Sequence, residues 1–166
     1  MNLKSKLLVI CMAGFGLLVA GCHSRPATLA DRIDLLKRQV TADSQTLRDL
    51  EENDYPLLRS DFRRCDSLLQ FMDTTQLDAA FVQLNLVLAY LNQFADVKDD
   101  MRQKMDYSIV QLDRLKTDAE SHFICDSLAS VYLDAETKVA DTLHHRVLYF
   151  QDRFGQCRVQ LSTLNK

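Results

Sequence analysis

The side chains best suited to metal chemistry in this sequence are two adjacent histidines, His144 and His145, with Asp141 one turn before them. Adjacent residues on a helix point about 100° apart, so the two imidazoles cannot hold one ion together. Asp141 and His145 have the i, i+4 spacing that can, but a zinc site takes three or four protein ligands. We therefore predict no metal site, and a surface contact between Asp141 and His145 instead.

The thiols form a second group of chemically capable side chains. Cys65, Cys125 and Cys157 lie in the body of the chain, and an odd number leaves at least one unpaired within a monomer. All of them fall on apolar faces, where cysteine behaves as a small hydrophobe. Three interpretations stay open: a disulfide between Cys65 and Cys125, three buried thiols, or one thiol that reacts or pairs with another chain.

Motifs that carry catalysis are missing from the sequence. There is no glycine-rich phosphate loop, no Gly-x-Ser-x-Gly, no His-Glu-x-x-His and no pair of cysteines at redox spacing. Neighbouring carboxylates such as Glu51-Glu52 and Asp99-Asp100 are typical of solvated helix faces. We therefore predict that the protein is not an enzyme and takes no cofactor.

The N-terminal segment has the parts of an export signal. Lys4 and Lys6 provide a short basic region, residues 7–18 form an apolar run, and small residues precede Cys22. The apolar run has 12 residues, whereas a bilayer-spanning helix needs about 20. The sequence Val19-Ala20-Gly21-Cys22 resembles the lipobox of bacterial lipoproteins.

That resemblance implies a lipid anchor. The signal would be cleaved between Gly21 and Cys22, a diacylglyceryl thioether such as one carrying palmitate would form on Cys22, and the new N-terminus would be acylated. The alternative is an ordinary secretory signal with a chance cysteine at its cleavage site. Each buried acyl methylene contributes about 0.8 kcal/mol, so two or more chains hold a protein firmly. We expect a mature protein that is anchored to a membrane without spanning it.

The residues after Cys22 bear on location within the cell envelope. They are His23-Ser24-Arg25-Pro26, with no aspartate beside the cysteine. In enteric-type lipoproteins an aspartate there is associated with inner-membrane retention, so the resemblance favours the outer membrane. About six residues separate Cys22 from the first helical pattern, and an extended chain of that length reaches about 20 Å. The folded part is therefore expected close to the membrane.

Charge argues against a nucleic-acid partner. Of the 20 lysines and arginines, Lys4 and Lys6 lie in the signal, so 18 basic residues face 23 acidic ones from Cys22 onward, a net charge of −5. Charges of both signs interleave along the whole mature chain, whereas nucleic-acid-binding proteins normally show a basic stripe.

Glycine and proline are scarce in the mature chain. It contains one glycine, Gly155, and two prolines, Pro26 and Pro56. β-Rich folds need glycine, asparagine and proline at their hairpins, whereas long helices exclude glycine and proline from their interiors. The composition predicts an all-α fold. The 145 residues from Cys22 onward are enough for one domain with its own core.

Apolar residues recur every three or four positions in long stretches, the pattern of amphipathic helices. The first stretch keeps a strict heptad from Leu29 to Leu50, interrupted only by Asp43. It must kink or restart at Pro56, because proline lacks a backbone donor. The predicted helices, of near-equal length and joined by very short turns, are residues 27–72, 75–119 and 121–165.

Equal lengths and short turns predict an elongated antiparallel bundle of three long helices, the first kinked or broken at Pro56. The alternative is a four-helix bundle in which the chain reverses at Pro56. The chain is expected to divide into a signal peptide at 1–21, a short lipidated tether at 22–28 and one helical domain at 29–166.

A weak internal repeat bears on this scheme. At an offset of 60 residues, the sequence Cys65-Asp66-Ser67-Leu68 matches Cys125-Asp126-Ser127-Leu128. If the match reflects a duplication, the two cysteines occupy equivalent places and the last helix breaks near Asp134.

Two functions remain open from the sequence. One is a structural or interaction protein, a helical rod that presents its sides to an envelope protein or to a second copy of itself. Self-association would use a second apolar stripe beside Leu35, with Asp43 fixing the register. The other is a periplasmic module that binds small molecules or unfolded proteins, which would need a cavity or an apolar groove near Pro56.

Overall fold

A computed structural model describes residues 27–71 and 73–164, which are almost entirely helical and contain no β-strand. The elements are α1 (Leu29–Asp49), a π-helical segment (Leu50–Asp54), α2 (Tyr55–Leu68), a short 3-10 turn (Leu69–Phe71), α3 (Thr74–Glu120) and α4 (Asp126–Leu164). The predicted all-α fold is confirmed. The predicted signal peptide at 1–21, the cleavage site at Gly21 and the lipid attachment at Cys22 lie outside the described residues.

The first helix begins at a reciprocal cap. The Thr28 hydroxyl accepts a hydrogen bond from the Asp31 N–H at 3.2 Å, and the Asp31 carboxylate accepts one from the Thr28 N–H at 2.9 Å. This capping box satisfies two backbone donors that a helix start leaves free. The cap therefore sets the start of α1 at Leu29.

The helix continues through Pro56 instead of reversing there. Proline cannot donate to the carbonyl four residues back, and its ring crowds that carbonyl. The π-helical segment Leu50–Asp54 precedes it, and the Tyr55 N–H donates to the Leu50 carbonyl, five residues earlier. The wider turn accommodates the proline, so α1 and α2 form one broken rod, as predicted. The alternative four-helix arrangement is wrong.

Ion pairs between helices give their directions. Between α1 and α3 the partner number falls as the α1 number rises, as in Asp34–Lys116 and Lys37–Asp113. Between the α1–α2 rod and α4 the two numbers rise together, in the pairs Arg32–Asp134, Asp43–His144 and Asp54–Arg158. The chain therefore runs up, down and up as an antiparallel bundle of three long helices.

The core follows the apolar seams that the sequence shows. The heptad positions of α1 from Ile33 onward are buried, and their apolar side chains pack with the seams of α3 and α4 in one continuous cluster. The buried α1 residues are Ile33, Leu36, Val40, Asp43, Ser44 and Leu47. Each of the three rods therefore buries its apolar face against the other two.

The turn between α3 and α4 is a Schellman motif. His122 has a positive φ of 56°, its N–H donates to the Ala119 carbonyl, and the Phe123 N–H donates to the Asp118 carbonyl. The last helix begins at Asp126 rather than at 121, and it runs unbroken past Asp134. The break near Asp134 that a duplication would produce does not occur.

Candidate functional site

The best-defined polar site of the bundle joins Asp43 to His144. Asp43, the polar interruption of the α1 heptad, is 7% exposed. Its Oδ1 lies 2.8 Å from Nδ1 of His144 on α4. Because both residues belong to the same chain, Asp43 has a partner without any self-association. Its other oxygen, Oδ2, is buried and has no hydrogen-bond partner among the described residues.

The predicted contact between Asp141 and His145 is replaced by this pair. His144 points back to α1, while its neighbour His145 is exposed on the same helix. The two rings are 6.1 Å apart between centroids and do not converge. Over the part of the chain that the structure describes, no group of three His, Cys, Asp or Glu side chains is placed to hold a metal ion.

A second polar cluster ties α3 to the π-helical segment. Lys98 and Arg102 each donate to the Glu51 carboxylate at 2.8 Å. The hydrogen bond to Glu51 is the main cause that raises the pKa of Lys98. An isolated, partly exposed ion pair contributes little stability, whereas a network of charges contributes more. The cluster therefore helps to hold α3 against the π-helical segment.

Cys65, Cys125 and Cys157, the three cysteines among the described residues, are separate and free. Cys65 is buried in α2, with its thiol 3.6 Å from the Leu161 carbonyl near the end of α4. Cys125 directly precedes α4. The length of α4, at 1.5 Å per residue, places about 50 Å between these two levels. The fold places Cys65 and Cys125 at opposite ends of the bundle, so no disulfide joins them, although the apparent repeat aligns them in the sequence.

The environments of the thiols differ. Burial raises the pKa of Cys157 to about 11 and also raises that of Cys65. A hydrogen bond with the Ser127 hydroxyl lowers the pKa of the exposed Cys125, with the Leu128 N–H adding to the effect. Two of the described thiols are therefore inert core residues, and Cys125 is the described thiol that reagents in solution can reach.

A ligand-binding module would need a groove near Pro56. At that level of the bundle, aromatic rings fill the core instead. Phe94 of α3 is the centre of the cluster and is fully buried. Its ring lies 5.5 Å from Tyr55, 5.1 Å from Phe150 and 4.9 Å from Phe154, centroid to centroid. Such tilted and edge-on contacts are favourable aromatic geometries.

A cleft of about 350 Å³ lies instead between α3 and α4, near their connecting turn. Its apolar lining comes from Leu115, Ile124, Tyr132 and Ala135, and its polar rim from Gln111, Arg114, Asp118 and Glu136. The buried Ser108 donates to Glu136 at 3.1 Å. The volume is at the low end of small-molecule sites.

Exposed large apolar side chains occur at both ends of the rod. Leu68 and Phe71 precede the α2–α3 turn, and Phe123 lies in the α3–α4 turn. The exposed fraction is 78% for Phe71 and 81% for Phe123. Within the described ranges, no helix is long and apolar enough to cross a membrane.

Comparison with protein-family models, with curated proteins and with solved structures finds no match to this chain.

Sequence reasoning missed the Asp43–His144 pair and the exposure of Phe123. A signal for the first was present, because an acid in a heptad seam needs a buried partner. No signal marked the second, because Phe123 falls in a stretch predicted as the first turn of the last helix, which begins at Asp126 instead.

Proposed function

We propose that this protein is a lipid-anchored structural or protein-interaction protein of a bacterial cell envelope, held in the outer membrane and without enzymatic activity. The observation that carries the proposal is the sequence Val19-Ala20-Gly21-Cys22 after a short apolar run. The described fold is compatible with such a role. An α3 of 47 residues gives a rod of about 70 Å, which extends far from its attachment point.

An interaction role is supported by where the polar and apolar side chains lie. The polar contacts described above join helix to helix, and a solid aromatic core occupies the middle of the bundle. Exposed apolar residues remain at the α2–α3 end, including Phe71 and Phe81. Aromatic side chains contribute much of the energy of protein interfaces, so these two exposed rings are available for such a contact. Crosslinking from Phe71 in native cells, followed by identification of the partner, would define that contact.

Metabolic labelling with a palmitate analogue tests the anchor. The full chain and a Cys11→Ala variant, which changes the other cysteine of the signal, are expected to take up the label and to sediment with membranes. A Cys22→Ala variant is expected to lose both properties. Density-gradient separation of the two membranes then locates the labelled protein. The proposal is wrong if Cys22→Ala keeps the label and stays in the membrane fraction.

The alternative of a small-molecule or unfolded-protein binding module is favoured by one observation, the cleft between α3 and α4. An Ala135→Trp substitution would fill that cleft without touching the Asp43–His144 pair. A ligand that stabilises the unmodified protein against heat but not this variant would support the alternative. A periplasmic substrate-binding role would then replace the interaction role, while the anchor would be unaffected.

A further inference from the structure

The α3–α4 turn holds one aromatic side chain away from the protein. In a Schellman motif, the residue at the position of Phe123 commonly packs on a residue at the position of Asp118 or Thr117. Both of these residues are polar, and Phe123 is 81% exposed. The turn is instead held by its backbone, through the bond from the Phe123 N–H to the Asp118 carbonyl at 2.9 Å. The fold therefore does not use the ring of Phe123 for packing.

The same turn lies at the end of the rod where the described chain starts. Lys116, one turn before the end of α3, pairs with Asp34 of α1 at 2.7 Å. Thr28, the cap of α1, is less than two turns before Asp34 and is therefore level with the turn. The chain from Cys22 to Thr28 can reach about 20 Å at most. A lipid on Cys22 would keep this end of the rod near the bilayer surface.

Further exposed apolar residues lie beside Phe123. Leu128, Val131 and Tyr132 occupy the first two turns of α4 with the i, i+3, i+4 spacing of one helix face, and all of them are exposed. Tyrosine is enriched at membrane interfaces, where the ring is apolar and the hydroxyl stays wet. Several nearby charges are acidic: Asp118, Glu120 and Asp126. Apolar contact, rather than attraction to anionic lipids, is therefore the force that this end offers.

We propose that Phe123 and the exposed face of the first two turns of α4 rest in the headgroup region of the leaflet that holds the Cys22 anchor. The rod then stands on its α3–α4 end, and the α2–α3 end with Phe71 points away from the membrane. The inference rests on the lipid anchor proposed above and adds an orientation to it. The anchor supplies the affinity, and the aromatic tip restricts the tilt of the rod.

The absence of tryptophan in the chain allows a direct test with one reporter. Full-length lipidated Phe123→Trp protein is reconstituted into phosphatidylcholine vesicles that contain a fraction of lipid brominated near the headgroup. The matched control is Phe71→Trp, which changes the same residue type at nearly equal exposure at the opposite end. Flotation of the vesicles and the circular dichroism of each variant are measured on the same samples.

We expect Phe123→Trp to emit at shorter wavelength than Phe71→Trp. We expect its emission to fall at least twofold when brominated lipid is present, and the emission of Phe71→Trp to be the same with and without brominated lipid. Equal quenching of both reporters would overturn the inference, because the rod would then lie flat. Floating protein with neither reporter quenched would also overturn it, while leaving the anchor in place. Protein that does not float with the vesicles would contradict the anchor and the inference together.

Discussion

At the scale of single residues, the pairing of Asp43 with His144 explains why a strict heptad tolerates an acid. A carboxylate taken out of water needs hydrogen bonds or an opposite charge, and the imidazole of His144 provides a hydrogen bond at 2.8 Å. We expect the polar pair to favour the register that places Asp43 beside His144, because a buried polar group can fix the register of packed helices.

Substitution of His144 tests this role. In a variant that starts at residue 23, and so lacks the proposed anchor, His144→Ala leaves the buried carboxylate of Asp43 without its partner. We expect the free energy of unfolding to fall by about 1–3 kcal/mol. His145→Ala, the exposed neighbour, is expected to change it by less than about 0.5 kcal/mol. Urea unfolding followed by circular dichroism gives both values.

The double variant Asp43→Leu/His144→Ala distinguishes the cost of leaving the Asp43 carboxylate without a partner from the loss of the His144 side chain itself. Because both polar groups are removed, the stability lost in His144→Ala should largely return. A double variant that is less stable than His144→Ala alone would show that the pair itself, rather than the orphaned carboxylate, carries the energy.

At the scale of helices, the sequence pattern predicted the long elements but misplaced the start of the last one. The apolar spacing predicted three rods, and α3 spans Thr74–Glu120 against a predicted 75–119. The start of α4 was misplaced because Thr117 and Glu120 resemble a capping box. In the structure the Thr117 hydroxyl donates to the Asp113 carbonyl of its own helix at 3.0 Å. A threonine can satisfy either role, and tertiary packing decides between them.

The contacts within the candidate site could not be predicted from the sequence either, for a different reason. The α1 heptad located Asp43 correctly at the core, but the periodicity of one helix carries no information on which residue of another helix faces it. The positive φ of His122 was equally hidden, because glycine is the usual residue at that position. Relations between helices therefore had to come from the folded structure.

Gly155 offers a test of the α4 helix. It lies in the interior of α4, and a Cβ built there meets nothing within 4 Å. Gly155→Ala is therefore expected to stabilise the protein by about 0.5–1 kcal/mol, because alanine loses less backbone entropy on folding. The exposed Ala42 of α1 gives the opposite control, since Ala42→Gly should destabilise by a similar amount. Thermal unfolding of both variants measures the two shifts, and a destabilised Gly155→Ala would mean that α4 needs flexibility there.

At the scale of the whole molecule, the three rods bury their apolar seams in one another. Leu36 is 7% exposed and Leu35, the next residue along the chain, is 62% exposed. The surroundings of Leu35 on the outer face of α1 are polar or small, with Arg32, Arg38, Gln39 and Ala42 within two turns. The second apolar stripe that self-association through α1 requires is therefore reduced to one leucine.

Through the outer face of α1 we accordingly expect the form that starts at residue 23 to stay monomeric, because one exposed leucine cannot supply the buried area of a stable dimer. Light scattering from micromolar to millimolar concentration measures the mass. Leu35→Glu should change neither the mass nor the stability. Leu36→Glu should unfold or strongly destabilise the bundle, since it places a charge in the core.

A dimer that Leu35→Glu dissociates would contradict the monomer and would assign the outer face of α1 to a second copy. Tethering in a membrane plane raises the effective concentration of such a weak contact, so the same pair of variants should also be compared on lipid vesicles, where the folded Leu35→Glu protein is the informative one.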